Sequence, residues 1–483
     1  MIPVPVFADQ EVLVFGLARS GLAAARALEA GRARVLGWDE RDAARAAAVG
    51  EGLTLTDPAS LDFRRLAAVV LSPGVPLTHP TPHPVVTLAR AAGVDVIGDI
   101  ELFARAIAQA PEHKRPTVVA ITGTNGKSTT TALVTHLLAE AGRDVHMGGN
   151  IGWGVLGLPP MHGGAVYVLE LSSYQLDLTS SLHPRAAILL NLSPDHLDRH
   201  GDMAGYAAAK RRILLNQGKG DTAVIGVDDD WGQRICTEIT AANRRTIYPI
   251  SARKALSRGA YVLEGRLYDA CGLDRVLEVA DLTAARSLPG RHNWQNAAAA
   301  YAAVTALGLT TEQAVTGLMS FPGLAHRMET VGALGGVRFV NDSKATNIDA
   351  ARQALASYPR VFWIAGGRPK SGIEDLTDLF PTIARAYLIG EAAVDFGATL
   401  AGHTPYVLSG DLARAVKEAF VDARAEAART GGEAVVLFSP ACASFDQFTD
   451  FEARGEAFRV AVQALATEDL GAQMPPHRGE VRA

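Results

Sequence analysis

The sequence predicts an α/β fold of three units, each a mostly parallel sheet covered by helices. Two observations carry that expectation. β-branched runs followed by helical patterns recur along the chain, and several runs end in polar, small-residue loops of the kind that bind ligands at strand ends. The length of 483 residues suits two to four domains. Two segments interrupt the alternation: APEHKRP, ending at Pro116, and FPGLAHRME, from Phe321 to Glu329. The expected units are therefore residues 1–112, 113–324 and 325–466, and the aperiodic stretch 467–483 is expected to be a disordered tail.

The first unit opens with VLVFGLARSGLAAARALEAG. Val12 to Phe15 read as a strand, Gly16 as a turn and the residues from about Ser20 as a helix, and ARVLGWDE gives a second strand ending in Asp39. This is Rossmann-like, with an acidic residue placed to meet a ribose or base. The G-x-G-x-x-G pattern, however, needs glycine at position 18, where Ala18 stands, and its methyl group opposes close approach of a pyrophosphate. That disfavours a nicotinamide site and leaves a nucleotide diphosphate held differently.

The second unit starts with VVAITGTNGKSTTTALVTHLLAEAG. Val118 to Ile121 form a buried strand, and Thr129 to Glu140 have helical spacing that Gly142 can end. Between them Gly123 and Gly126 let backbone N–H groups and a helix N-terminus face an anion. Lys127 adds a cation where phosphate charge is greatest, and the Ser128 hydroxyl is placed for Mg²⁺. The first glycine of G-x-x-x-x-G-K-[ST] would fall at Ile121, so this is a variant triphosphate loop or a chance spacing. Downstream strands end near Asn150, Glu170 and the cluster Asp195, His196 and Asp198, which should converge on the loop. Glu170 offers the oxygen ligand that Mg²⁺ prefers, whereas His196 taken alone reads as a loop residue making a local hydrogen bond, and only its placement beside the other groups points to a site.

The third unit repeats the pattern in VRFVNDSKATN, RVFWIAGGRPKSG and EAVVLFSPACASFDQF. Their loops hold Asp342 and Lys344, Lys370, and Ser439 and Ser444, enough to bind an anionic small molecule, although such residues also crowd ordinary αβ loops. A net charge of −5 without a long basic run argues against general nucleic-acid binding. Cys236, Cys271 and Cys442 lack metal or redox spacing and read as reduced thiols. Neither a leader pattern nor a run of membrane-spanning length appears, so the expectation is a soluble, cytoplasmic protein, monomeric by default.

In order, GTNGKST, GGNIG, LELSSYQL, DHLDRHG, GRHNWQNAAAA, HRME, NDSKATN and SPACASFDQF resemble the Mur ligases of peptidoglycan precursor synthesis, over all but the tail. LSSYQL, NDSKATN and SPACASFDQF are similar to the branch that joins D-glutamate to UDP-N-acetylmuramoyl-L-alanine. The variant phosphate loop is similar to that family's own. The resemblance implies an N-terminal UDP-binding unit, a central ATPase unit and a C-terminal amino-acid unit. It also implies ATP-driven amide formation through an acyl phosphate and a tetrahedral intermediate.

It further implies that Gly123, Thr124, Asn125, Gly126, Lys127, Ser128 and Thr129 hold ATP, with Asn296 at the adenine, Arg327 at the γ-phosphate and Asp342 at the ribose. Arg19, Ser20, Asp39, the turn Ser72, Pro73 and Gly74, and Asn150, Ser172 and His196 are implied for the UDP substrate. Thr346 and Lys370 match one carboxylate of D-glutamate, Ser439 and the Phe445 backbone the other, and Lys344 the acyl phosphate. Two Mg²⁺ ions are implied, on Ser128 and Glu170 and on His196 and a CO₂-carbamylated Lys210. From periodicity alone Lys210 shares a face with Ala207, Ile213 and Leu214, which also suits a surface lysine whose stem covers apolar area. A folylpolyglutamate-synthase-like ligase, a nicotinamide oxidoreductase and a phosphate-loop motor or switch are the rival readings.

Overall fold

The computed structural model describes residues 1–242, 244–271, 275–285 and 287–473. Three sheets run along the chain. In the first, β1 (Glu11–Phe15), β2 (Arg34–Trp38), β3 (Leu66–Leu71) and β4 (Asp95–Ile97) lie in the order β2-β1-β3-β4, all parallel. The second holds β5 (Thr117–Thr122), β6 (Asp144–Gly149), β7 (Ala165–Glu170), β8 (Ala186–Leu189), β9 (Thr222–Gly226) and β10 (Thr246–Ser251), extended by β11 (Ala260–Leu263), β12 (Arg266–Asp269) and β13 (Leu277–Asp281). Its order is β13-β12-β11-β10-β9-β8-β5-β7-β6, with β12 antiparallel to both its neighbours. The third, β14 (Glu329–Leu334), β15 (Val337–Asn341), β16 (Val361–Gly366), β17 (Ile383–Ile389), β18 (Tyr406–Gly410) and β19 (Ala434–Phe438), has the order β14-β15-β19-β16-β17-β18. Only its β14–β15 pair is antiparallel. The mostly parallel α/β expectation therefore holds.

The chain forms two compact units, residues 1–285 with 292–321, and residues 286–291 with 322–483. In the first unit the first and second sheets share one apolar core, which runs from Val12 and Leu102 to Val118 and Leu169. The Phe103 and Tyr167 rings meet at 5.3 Å. The segment expected to link them is a single 3₁₀ turn, Glu112–Lys114, leading straight into β5. A buried polar clasp reinforces this core. Glu101, on helix Asp99–Gln109, accepts the Ser180 and Ser181 backbone N–H groups at 2.7 and 2.9 Å and Arg105 Nε at 2.9 Å.

β5 is buried almost throughout, as its β-branched run requires of a strand covered on both faces. Its helix starts at Lys127, two residues before the apolar periodicity begins, because Gly126 takes a left-handed conformation at the N-cap. In the second unit, one face of the sheet packs around Trp363, Leu388 and Phe396, and the other around Phe339, Phe438 and Phe458. The last helix, Phe451–Gln473, runs past the point where a tail was expected to start at residue 467. Each residue added to an existing helix gains a hydrogen bond without a new nucleation cost. Residues 474–483 of that tail lie outside the described residues.

Burial alone would raise the Glu101 carboxyl, but its hydrogen bonds from Ser180, Ser181 and Arg105 hold it below the usual range. Its stabilisation is thus complete above the unfolded carboxylate value of about 4.3 and lost as pH falls through the lower folded value. Glu101→Ala leaves two backbone donors unpaired and is expected to cost about 2–4 kcal/mol in denaturant unfolding at pH 7. The difference between wild type and variant should shrink as the titration proceeds into acid.

Candidate functional site

The loop between β5 and helix Lys127–Glu140 sits at the carboxyl end of the sheet, where the strand order departs to both sides of β5. Asn191, directly after β8, clamps it: its Oδ1 accepts the Asn125 N–H at 2.9 Å and its Nδ2 donates to Asn125 O at 3.1 Å. Thr124 is held by Asn191 O and Ser193. Gly126 has φ of +83°, and a Cβ there would come within 2.3 Å of Asn296 Oδ1. Asn296, expected at an adenine, is therefore packed against the loop itself and is 2% exposed. Ser128 lies buried in the first helical turn and Thr129 half-buried beside it. Ile121, at the usual first glycine, is a fully buried residue of β5, so the wrapping begins at Gly123.

Glu170 ends β7 opposite Ile121. Its Oε1 accepts from Asn150 Nδ2 at 2.8 Å, while its Oε2 is buried and has no hydrogen-bond partner among the described residues. Leaving a buried acceptor unmet costs about 1–3 kcal/mol, more for a charge. A hard cation such as Mg²⁺ would meet that need, so this carboxylate oxygen fits the ion.

Lys210 is not a surface lysine. It is 2% exposed, and Ala207, Ile213 and Leu214 are buried with it. Its Nζ donates to Gly123 O at 2.8 Å, lies 3.4 Å from Thr122 Oγ1 and sits 4.8 Å from the centre of the Tyr206 ring. Burial, and then the Lys127 ammonium, push its pKa well below the usual value, against the pull of Asp195 and Glu170. Lys127 Nζ also donates to Gly123 O, at 3.1 Å, and to Thr124 O at 2.9 Å. His196 has φ of +53°, its Nδ1 2.9 Å from Tyr174 Oη and its Nε2 3.3 Å from Asp195. Desolvation and the two lysines hold its pKa down against Asp195 and Asp198. It is connected back to the phosphate loop through Tyr206, whose hydroxyl lies 3.2 Å from Thr124 Oγ1.

The expected uridine end lies at the carboxyl ends of β1, β2 and β3. Gly16, with φ of +92°, lets Ser72 approach so closely that a Cβ there would lie 2.4 Å from Ser72 Cβ. That joins the loop before Arg19 and Ser20 to the turn Ser72, Pro73 and Gly74. Arg19 is exposed and Ser20 half-buried at the start of helix Arg19–Ala30. Asp39 is 5% exposed and engaged by the Leu17 N–H at 2.7 Å and by Arg41, so it holds the loop. Burial raises the Asp39 carboxyl, and the Arg41 and Leu17 bonds more than offset this. Ser172 caps helix Ser173–Asp177 in a reciprocal box with Gln175, which takes its hydroxyl.

The second unit places Lys344 and Thr346 after β15, Lys370 after β16, and Ser439 and Phe445 after β19, three adjacent strands parallel to one another. The Arg368 and Ala443 backbones bond reciprocally and tie two of these loops together. Lys370 and Phe445 are exposed, Thr346 is half-buried, and Lys344 Nζ lies 3.6 Å from the Phe451 ring centre. Ser439 is fully buried and donates to Asp342 Oδ2 at 2.9 Å, so it orients Asp342. Asp342 also accepts the Met328 N–H at 3.2 Å. Burial raises it to about 7, opposed by the Ser439 hydrogen bond and the charge of Arg327, which lies just before β14. Arg454, absent from the sequence reading, is 1% exposed and joins the Ser343, Cys442 and Ala443 carbonyls. A lone arginine in a helical pattern gave no signal for it.

Away from this site, Asp144, His146 and His162 have ligand atoms within 4.8 Å of one another. They lie at the start of β6, the opposite end of the sheet from the phosphate loop. Both ring nitrogens of His162 are engaged, by Asp144 at 2.7 Å and the Gly164 N–H at 3.3 Å.

Residues 121–304 match the Mur ligase middle domain. The chain is 70% identical over 467 residues to a UDP-N-acetylmuramoylalanine--D-glutamate ligase of Phenylobacterium zucineum, covering 96% of this chain and 98% of the relative. It is 53% identical over 467 residues to the enzyme of that name from Mesorhizobium japonicum, with the same coverage. Among solved structures, UDP-N-acetylmuramate-alanine ligase from Thermotoga maritima superposes with a TM-score of 0.56 at 18% identity, over 94% of this chain and 99% of that one. At that identity the likeness speaks for the fold.

Gly126→Ala meets both the left-handed φ and the Asn296 side chain. It is expected to weaken ATP binding at least tenfold in calorimetry, since one ångström of misplacement in such a loop costs about that much or more. Unchanged affinity would show that the loop does not grip the triphosphate.

Proposed function

The chain belongs to the Mur ligase family, and we propose that it is the ATP-dependent ligase that adds D-glutamate to UDP-N-acetylmuramoyl-L-alanine, a step in peptidoglycan precursor synthesis. The observation that carries this is the 70% identity, over 96% of the chain, to a D-glutamate ligase. The phosphate loop, with an unpaired buried carboxylate oxygen of Glu170 beside it, is the local chemistry that agrees. The folylpolyglutamate-synthase-like alternative has no such support.

A carboxylate is a poor electrophile toward an amine. In the proposed reaction an oxygen of the L-alanyl carboxylate attacks the γ-phosphorus of ATP, and the bond to ADP breaks. The D-glutamate amine then adds to the acyl phosphate. The tetrahedral intermediate collapses to the amide, expelling inorganic phosphate and leaving the amine proton to solvent. Such a transfer needs alignment and charge neutralisation more than covalent help. Lys127 and the loop N–H groups from Gly123 to Thr129 hold the phosphates. Asn150 and His196 face the acceptor carboxylate. Arg327 and Lys344 steady the transferring phosphoryl group, and Lys370, Thr346 and the Phe445 backbone hold D-glutamate. Bound Mg²⁺, on Ser128 and Glu170 and at a second place on His196 and Lys210, would neutralise phosphate charge.

Lys210 would take part as a carbamate. The neutral amine adds to the carbon of CO₂, the N–C bond forms as one C=O pair moves to oxygen, and a proton leaves. Burial and the neighbouring Lys127 favour the neutral amine that this needs. Among the described residues no helix is long and apolar enough to cross a membrane. The protein would act on these soluble substrates in the cytoplasm, as a monomer.

Phosphate release from ATP is to be measured with UDP-N-acetylmuramoyl-L-alanine and D-glutamate, L-glutamate, L-lysine, meso-diaminopimelate or no amino acid, with products identified by mass. Turnover and amide product with D-glutamate alone support the assignment. Turnover with another amino acid moves the enzyme to a different step, and release without any amino acid refutes a ligase. Lys210→Ala should lower kcat by roughly a hundredfold or more, as loss of one electrostatic group in such a site does, and acetate or formate should restore part of it. Full activity of the variant would refute the carbamate.

A further inference from the structure

The substrate proposed above is long, with a uridine diphosphate at one end and the reacting carboxylate at the other. The two ends would be held by different sheets, so something must fix the distance between the grips. Misplacement by about one ångström costs about a hundredfold in rate.

Besides the shared core, Arg199 links the two grips directly. Arg199, on the short helix Leu197–His200, donates Nη1 to Gly74 O at 2.8 Å, and Nη2 to Val75 O at 3.0 Å and Pro73 O at 3.3 Å. Three successive carbonyls of the turn after β3 thus converge on one guanidinium. The same group lies 4.6 Å from the centre of the Tyr174 ring. Tyr174 Oη, in turn, is 2.9 Å from His196 Nδ1. His196 is the N-cap of the helix that carries Arg199, and His200 at its other end bonds Ser173 Oγ at 2.9 Å. Helix, ring and turn are therefore tied at several points. No ion pair involves Arg199 among the described residues, so its planar fork, more than its charge, is what the contacts use. Lysine, a point charge on a flexible stem, cannot reproduce this.

We propose that Arg199 and Tyr174 are positioning residues, which hold the substrate's uridine diphosphate turn at a fixed place relative to the imidazole of His196. This rests on the functional reading above. Neither residue touches the reacting atoms. Arg199 acts through the turn backbone, and Tyr174 through the orientation of His196.

The test is steady-state kinetics of the full-length protein as wild type, Arg199→Ala, Arg199→Lys, Tyr174→Phe and the double variant Arg199→Ala with Tyr174→Phe, each substrate varied in turn. Arg199→Ala should raise KM for UDP-N-acetylmuramoyl-L-alanine and lower kcat, each roughly tenfold, with KM for ATP within about twofold of wild type. Arg199→Lys should resemble it, and Tyr174→Phe should lower kcat while leaving KM for the UDP substrate unchanged. The double variant should lose less than the product of the single losses, because both act on one link. Arg199→Lys with wild-type kinetics, fully multiplicative losses, or an equal rise in KM for ATP would overturn the proposal. If Arg199→Ala fails to fold, Arg199→Lys and Tyr174→Phe decide it. A wild type that does not turn over the UDP substrate would refute the functional reading, whereas an active wild type matched by its variants would refute this inference alone.

Discussion

The carbonyl oxygen of Gly123 accepts from two lysines at once, Lys210 at 2.8 Å and Lys127 at 3.1 Å. Two unit charges a few ångströms apart would repel by about 4 kcal/mol at an effective dielectric of about 20, which favours the neutral amine of Lys210. Burial adds to the cost for Lys210, the more enclosed of the two. The arrangement therefore calls for negative charge, and the site is organised to accept it. Phosphate oxygens would relieve Lys127, a carbamate would make Lys210 an anion at the second metal place, and the unpaired oxygen of Glu170 fits the first.

Several residues expected on ligands make bonds or contacts that shape the loops around the site. Asp39 holds the turn after β1, Ser172 caps a helix, Ser439 orients Asp342, and Asn296 packs on Gly126. Each bond removes a backbone or side-chain freedom that would otherwise be lost on binding. Arg454 does the same in the second unit, binding carbonyls from two loops while sealed from solvent. Its pKa falls to about 10 through burial, so it is still a cation at neutral pH.

The strands and the phosphate loop were readable because their signals are local. A β-branched run, two glycines and Lys-Ser lie within one short segment, and the backbone there answers to nearest neighbours. Lys210 was ambiguous because helical spacing places it on an apolar face whether that face meets solvent or core. Only the packing of Ile213 and Leu214 inside the sheet domain decides between them. Asn191, Tyr174, Arg199 and Arg454 gave no local signal, since their partners lie many residues away. For Asp39, Ser172 and Ser439, short polar side chains that bond neighbouring protein groups readily, residue type alone does not name the protein partner each takes.

The central claim is that the substrate carboxylate is activated by phosphorylation at this loop. It is tested most directly by preparing UDP-N-acetylmuramoyl-L-alanine with ¹⁸O in its L-alanyl carboxylate and following the label through turnover with ATP and D-glutamate. An acyl phosphate passes one carboxylate oxygen to the phosphate that leaves, so each phosphate released should carry one ¹⁸O and the amide should keep the other. Unlabelled phosphate accompanying amide formation would mean that the carboxylate never bonded to phosphorus, and would contradict the account.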